Sequence, residues 1–182
     1  PGATIGWIVD DRAADLLRQH ANTHHGADIR ITKRIPVAAG LAGGSGNAAA
    51  TLAVLNQLWN INASPHELAA WALELGSDVP YCLIGGPQTA TGRGEVFMPT
   101  PELPTAWFVL AHPPIRVTAR EAYLSPSLQH SHESPVDGMT SAFRLAINRL
   151  ANGDWANGVF NRMESGVFPL YPQIETLKQR LL

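Results

Sequence analysis

One cysteine, Cys82, stands in a chain of 182 residues. No internal disulfide can form, so a disulfide-stapled scaffold is excluded and a reducing, cytoplasmic compartment is the expectation. Charge is sparse as well: Asp, Glu, Lys and Arg make up 15%, against about 25% in an average globular domain. Thirteen Lys and Arg face fifteen Asp and Glu, for a formal net charge of -2. No basic field is available for a polyanion, which excludes nucleic acid as the main partner. No charged residue occurs between Ile35 and His66. That stretch is still no membrane span, because its most apolar part, residues 48–55, falls far short of the ~20 residues a spanning helix needs. Pro1 is not followed by the cationic start and apolar run of a signal peptide. The dipeptide Gly-Lys is absent, which excludes a Walker A loop. The chain opens without methionine and closes at Leu181-Leu182 inside a helix-like segment, so the expectation is a piece of a longer protein lacking both ends.

What is present is enough to bury a core, in one large domain or two small ones. Patterning predicts a short strand over residues 3–9 and a helix over 11–20, where Ala13, Ala14, Leu16 and Leu17 recur at helical spacing. Over 28–34, Ile29 and Ile31 alternate with Arg30, Thr32 and Arg34, the pattern of a half-buried strand. Residues 47–59 read as an Ala- and Leu-rich helix. Ser64-Pro65-His66-Glu67 is a capping box with proline at the first helical position, and Gly76 is a helix stop. Residues 80–84 read as a short helix or turn, 89–96 as a hairpin broken by Gly92 and Gly94, and 105–111 as a buried strand. Pro99, Pro101 and Pro104 mark the boundary expected between two domains, residues 1–103 and 104–182. Residues 129–137 read as a mobile loop, and 139–150, 155–164 and 172–182 as helices. The fold class is α+β. His24, His25, His130 and His132 lie in polar loops with no Cys or carboxylate at ligand spacing, and read as solvated. The five tryptophans read as packing anchors.

The chemistry concentrates in Gly40-Leu41-Ala42-Gly43-Gly44-Ser45-Gly46, between a predicted strand and a predicted helix. Glycines let successive N–H groups point into one concavity, with Gly44 expected at positive φ. The helix N-terminus that follows adds free donors and partial positive charge, a combination suited to phosphate. Gly44-Ser45-Gly46-Asn47-Ala48-Ala49 also fits the dinucleotide pattern G-x-G-x-x-A. Its glycines come too far after the strand, and no acidic-ended strand follows about twenty residues on.

Pro36-x-x-x-Gly40-Leu41-Ala42-Gly43-Gly44-Ser45 resembles the phosphate loop of the GHMP kinases. Other segments agree with that family in order. They are Ile31-Thr32-Lys33-Arg34-Ile35-Pro36, Leu75-Gly76-Ser77-Asp78-Val79-Pro80, and Gly85-Gly86 with Ala90-Thr91-Gly92-Arg93-Gly94-Glu95. Val117-Thr118-Ala119-Arg120-Glu121-Ala122-Tyr123 and Asn161-Arg162-Met163-Glu164 complete the set. The likeness spans nearly the whole chain. It is greatest to the branch whose acceptor is a cytidine diphosphate-linked methylerythritol. The resemblance implies an N-terminal part like ribosomal protein S5 domain 2 and the start of a ferredoxin-like domain. It implies transfer of the γ-phosphate of ATP, with Mg²⁺, to the 2-hydroxyl of 4-diphosphocytidyl-2-C-methyl-D-erythritol in non-mevalonate isoprenoid synthesis. Ala42 stands where the family has glycine, Gly46 where it has a second serine, and Ala119 where it has threonine. A leading strand with a catalytic lysine and a closing Ser-Gly-x-Gly motif are absent, so these residues alone are expected to be inactive.

By the same resemblance, Asp78 is catalytic and touches the substrate, receiving or orienting the acceptor proton. Lys33, Pro36, Gly40, Leu41, Ala42, Gly43, Gly44, Ser45 and Gly46 hold the nucleotide. Ser45 also touches Mg²⁺, and Tyr123 stacks on the cytosine ring. The residues themselves leave plainer readings open: Asp78 or Ser45 as a helix cap, Lys33 as a solvated edge residue, Tyr123 as core filling. Other functions stay open too: a GHMP kinase acting on homoserine or a phosphomevalonate, a dinucleotide-binding oxidoreductase, or a non-enzymatic remnant of the fold. The partner expected is a small molecule, with no nucleic acid and no membrane. Nothing in the sequence fixes an oligomeric state.

Overall fold

The structure, a computed structural model, describes residues 5–37, 39–98, 100–125 and 141–181. They separate into two compact units, one of Pro1–Val37 with Leu41–Thr100 and the other of Ala38–Gly40 with Pro101–Leu182. Among the described residues helices dominate both, and a two-stranded sheet makes the architecture α+β.

The first unit grows around helix α2 (Gly43–Leu58), whose Ala48, Ala49, Leu52 and Leu55 recur along one face and are buried. Against it pack α1 (Ile5–Ala21), α3 (Pro65–Ala72) and α4 (Asp78–Ile84). Ala13, Ala14 and Leu17 from α1, Leu68 and Ala72 from α3, and Val79 from α4 close one core with that face. Small residues on α2 let neighbouring backbones approach closely, which is how helices this short bury a common core. Trp59 follows α2 into the core and its Nε1 donates to the Gly26 carbonyl at 3.2 Å. Asn56 clamps the next turn: its Nδ2 donates to the Ala63 carbonyl and its Oδ1 accepts from the Ala63 N–H, both at 3.0 Å.

The N-terminal strand predicted over residues 3–9 is overturned. Ile5 to Val9 open α1, and residues 3 and 4 lie outside the described residues. No breaker separates these residues from the helical pattern behind them. Extending a helix gains a hydrogen bond per residue, whereas a strand gains nothing without a neighbour. Asn22, at φ 47, ends α1 in the left-handed conformation. The capping box at α3 forms as the sequence predicts. Ser64 Oγ accepts from the Glu67 N–H, and the Glu67 carboxylate accepts from the Ser64 N–H at 2.8 Å. The hairpin forms as β1 (Thr89–Thr91) and β2 (Val96–Met98), with Ala90 opposite Phe97.

The second unit contains α5 (Ala119–Leu124), α6 (Ser141–Ala151), α7 (Trp155–Gly158), α8 (Glu164–Val167) and α9 (Pro172–Leu181). Residues 155–164 are not one helix. Gly158 sits so close to α6 that a Cβ there would meet Leu150 Cδ2 at 2.8 Å, and Val159 then turns extended. Residues 105–111 are not a buried strand either. Trp107 is 97% exposed and Val109 95% exposed, and no described strand pairs with them. A β pattern is buried only when a ladder neighbour and a covering face both exist. The loop expected at 129–137, with His130 and His132, lies outside the described residues, as does Pro99.

Hydrogen bonds from the Ser64 side chain and backbone hold the Glu67 carboxyl below its ordinary value of 4.5. A carboxylate with a lowered folded pKa contributes stability above its unfolded pKa and loses it as pH falls through the folded value. Glu67→Gln keeps the shape and removes the charge. The wild type is therefore expected to melt above the variant at pH 7, with the two converging below pH 4.5. A gap independent of pH in thermal melts would contradict this.

Candidate functional site

Helix α2 begins at Gly43, four residues earlier than the sequence suggests, so Gly43, Gly44, Ser45 and Gly46 are its first turn. The first helical bond runs from the Gly46 N–H to the Ala42 carbonyl at 2.8 Å. The N–H groups of Gly43, Gly44 and Ser45 precede that bond. No side chain caps the end and no acidic residue occupies its first turn. Unpaired donors and the positive end of the helix dipole therefore face the same way, with no carboxylate competing for them. Ser45 lies inside the helix and is not its cap.

Ala42 occupies the N-cap position at φ 49, ψ 23, the left-handed region. That is the position where the resembled family has glycine, and the backbone shows why: a Cβ is tolerated there only at a cost. Gly44 is not at positive φ, contrary to expectation, and a Cβ on it would meet nothing within 4 Å. Gly43 is the crowded glycine. A Cβ there would stand 2.9 Å from Ile35 Cγ2 and 3.0 Å from Lys33 Nζ. The ammonium of Lys33 thus lies against the uncapped turn, which adds a full charge to the partial ones. Ile35, which the sequence reading included in a family segment without giving it a role, is the floor under Gly43. Pro36 is exposed on the same approach, and Leu41 is 41% exposed. Gly40, at φ 71, clusters with the second unit.

Asp78 is exposed and opens α4 at its first helical position; Ser77 precedes it and makes no side-chain cap bond. The simple capping role for Asp78 is therefore not what the backbone uses. Val79 and Pro80 behind it are buried and fix the helix against the core. Burial and the nearby Asp78 charge push the Cys82 thiol up. Such a thiol is a poor nucleophile.

In the second unit Tyr123 is 64% exposed on α5, which removes the core-filling reading. Its helix is held by a second capping box. Thr118 Oγ1 accepts from the Glu121 N–H at 3.2 Å, and Glu121 accepts from the Thr118 N–H at 2.9 Å. The Thr118 hydroxyl also donates to the Glu121 carboxylate at 2.6 Å, and this bond first, with the one from the Thr118 N–H, keeps that carboxyl below its usual range. The Thr-x-x-Glu spacing was visible in the sequence and would have located this helix start. Ala122 and Ser125 are buried where a Cβ on Gly166 would stand 3.0 Å from both, so the tyrosine is left pointing out. Among the described residues, no group of three His, Cys, Asp or Glu could hold a metal, and no helix is long and apolar enough to cross a membrane.

Residues 9–86 match the family described as the GHMP kinases N terminal domain. The chain is 42% identical over 170 residues to 4-diphosphocytidyl-2-C-methyl-D-erythritol kinase of Geobacillus thermodenitrificans (strain NG80-2), covering 93% of this chain and 57% of that protein. To the enzyme of the same name from Bacillus subtilis (strain 168) it is 40% identical over 175 residues, with the same two coverages. A crystal structure of 4-(cytidine 5'-diphospho)-2C-methyl-D-erythritol kinase superposes with a TM-score of 0.72 at 31% identity, covering 99% of this chain and 63% of that one. The chain thus spans 57% of the length of these curated relatives.

The geometry separates two glycines that the sequence treats alike. Gly44→Ala is expected to raise the melting temperature, since alanine is favoured over glycine in a helix by roughly 1 kcal/mol. Gly43→Ala is expected to lower it, because Ile35 and Lys33 must give way. Melting curves of the two variants in parallel check this, and a reversed order would place the first turn wrongly.

Proposed function

We propose that this chain, which belongs to the GHMP kinases, is the larger part of an ATP-dependent kinase acting on the 2-hydroxyl of 4-diphosphocytidyl-2-C-methyl-D-erythritol. One observation carries the reading most directly: an uncapped first turn, Gly43 to Gly46, with the Lys33 ammonium against it. Phosphoryl transfer requires positioning and charge neutralisation more than covalent chemistry from the protein. The N–H groups of Gly43, Gly44 and Ser45 would cradle the ATP phosphates, Lys33 would neutralise their charge, and Pro36, Gly40, Leu41, Ala42 and Gly46 would shape the loop around them. Mg²⁺ would arrive bound to the nucleotide, with the Ser45 hydroxyl as its protein contact. When bound, it neutralises charge that develops on the phosphoryl oxygens.

Asp78 stands on α4, which packs against the helix that carries the cradle. Its exposed carboxylate would orient the acceptor hydroxyl and take its proton as the phosphoryl group transfers. Tyr123, exposed and held by the α5 capping box, would stack on the cytosine ring. Residues 1–103 would form the nucleotide-binding domain and 104–182 the start of the second. The relatives extend well beyond the matched region, so the 182 residues by themselves would bind nucleotide weakly and turn over little. The expected compartment is the cytoplasm, with a small-molecule substrate as the partner.

Asp78→Asn in the full-length kinase is expected to lower kcat by ~10²-fold or more while leaving the KM for ATP near its original value, the usual scale for loss of a general base. The cradle donors are backbone groups that this change does not touch. Steady-state kinetics with a melting control test it; a folded variant of near-normal kcat would leave the reaction without this base. Tyr123→Ala is expected to raise the KM for the cytidine substrate and not for ATP. The loss should be about 1–3 kcal/mol if the ring stacks on a base. Equal effects on both substrates would overturn the stacking role. A panel including homoserine and a phosphomevalonate as acceptors would distinguish the other members of the family.

A further inference from the structure

The segment Asn161-Arg162-Met163-Glu164 builds a turn and a tie. Asn161 Oδ1 accepts from the Met163 N–H at 3.0 Å, and the Asn161 carbonyl accepts from the Glu164 N–H at 3.1 Å, which starts α8. Both Glu164 carboxylate oxygens accept from Lys178 Nζ at 2.7 Å, which ties α8 to α9. The same ammonium stands 5.9 Å from the centroid of the Phe168 ring. Helix α8 spans only Glu164–Val167, so it is held by these contacts and not by its own ladder.

Two residues past Glu164 comes Gly166, which is buried. Glycine is a poor helix former, and Gly166 has no positive φ that would call for it. A close approach does call for it. A Cβ at 166 would stand 3.0 Å from the Ala122 carbonyl oxygen and 3.0 Å from Ser125 Cβ. The first of these is backbone and the second is bonded directly to it, so neither can swing aside. A side chain at 166 therefore displaces α5 itself. Tyr123 stands between those two contact points, with its ring exposed. Tyr171, just ahead of α9, meets α5 as well: after the Thr118 hydroxyl and N–H, its hydroxyl also holds the Glu121 carboxyl low.

We propose that α8 is the seat of α5 and that Gly166 is a positioning residue for the cytidine end of the substrate, its missing side chain setting where the Tyr123 ring stands. The proposal rests on the reading that Tyr123 stacks on the cytosine ring. Stacking depends on offset and separation, so a ring carried away with its helix loses overlap with the base. The diphosphate separates that base from the reacting hydroxyl. Displacing the ring therefore weakens binding and leaves the chemical step alone.

Steady-state kinetics on the full-length kinase test it, with thermal melting as the folding control. Gly166→Ala is expected to raise the KM for the cytidine substrate at least ~3-fold, and the bulkier Gly166→Val ~10-fold or more, with kcat and the KM for ATP unchanged. Should Gly166→Val not fold, Gly166→Ala decides. In a Tyr123→Ala background neither change should raise that KM further, because the ring through which they act is gone. A folded Gly166→Ala variant with the original KM overturns the proposal. A rise that persists undiminished without the Tyr123 ring, or that ATP shares equally, overturns it too and makes Gly166 a packing residue only. Tyr123→Ala by itself separates the two failures. If it raises the cytidine KM and Gly166→Ala does not, the seat alone falls. If it leaves that KM unchanged, the stacking reading falls and takes the role of Gly166 with it.

Discussion

Burial of one face of α2 is the contact on which the first unit depends. Ala48, Ala49, Leu52 and Leu55 meet residues from α1, α3 and α4 in a single core. A helix held from three sides needs no help at its ends. That is why its N-terminus can stand uncapped, with three backbone donors free, while α3 and α5 each carry a complete capping box. Packing at one end of the element makes up for unsatisfied groups at the other, and those groups are then available to a ligand.

The same constraint explains the pattern of glycines. Gly43 is small because Ile35 and Lys33 lie beneath it, and Gly44 is small with open space around it. Ala42 takes the left-handed turn that a glycine would take more easily. The loop is therefore not a run of interchangeable flexible residues. It contains one steric contact, one strained turn and one open face. Only the open face has room for a charged group to approach.

Much of this was legible in the sequence, for local reasons. Ser64-x-x-Glu67 needs nothing beyond its own turn, and the α3 start was found to the residue. The ordered motifs pointed to the family whose N-terminal domain matches residues 9–86, because their residue types recur in a fixed order along the chain. What failed was non-local. Residues 28–34 and 105–111 have strand patterning, but a strand is defined by its neighbour, and no described neighbour exists. Residues 3–9 read as a short strand, and the helix behind them reaches back to include Ile5 to Val9. At 155–164 an apolar-polar pattern suggested one helix, whereas the contact of Gly158 with Leu150 ends it after one turn.

The placement of Lys33 shows how the two kinds of information combine. Its position in the alternating segment 28–34 makes it an edge residue, half in water, and nothing in that segment gives it a task. The fold then carries Ile35 under Gly43 and brings the Lys33 ammonium to the same turn. A lysine in water is worth little to a phosphate, because solvent screens it. Against uncapped N–H groups on a helix fixed by its core, the same ammonium adds to donors already oriented, so an anion bound there would need no reorganisation of the protein. Asp78 stands on a different helix, 45 residues along the chain from Lys33. Its helix packs against α2 through Val79, so the carboxylate and the uncapped turn are both held by the same core.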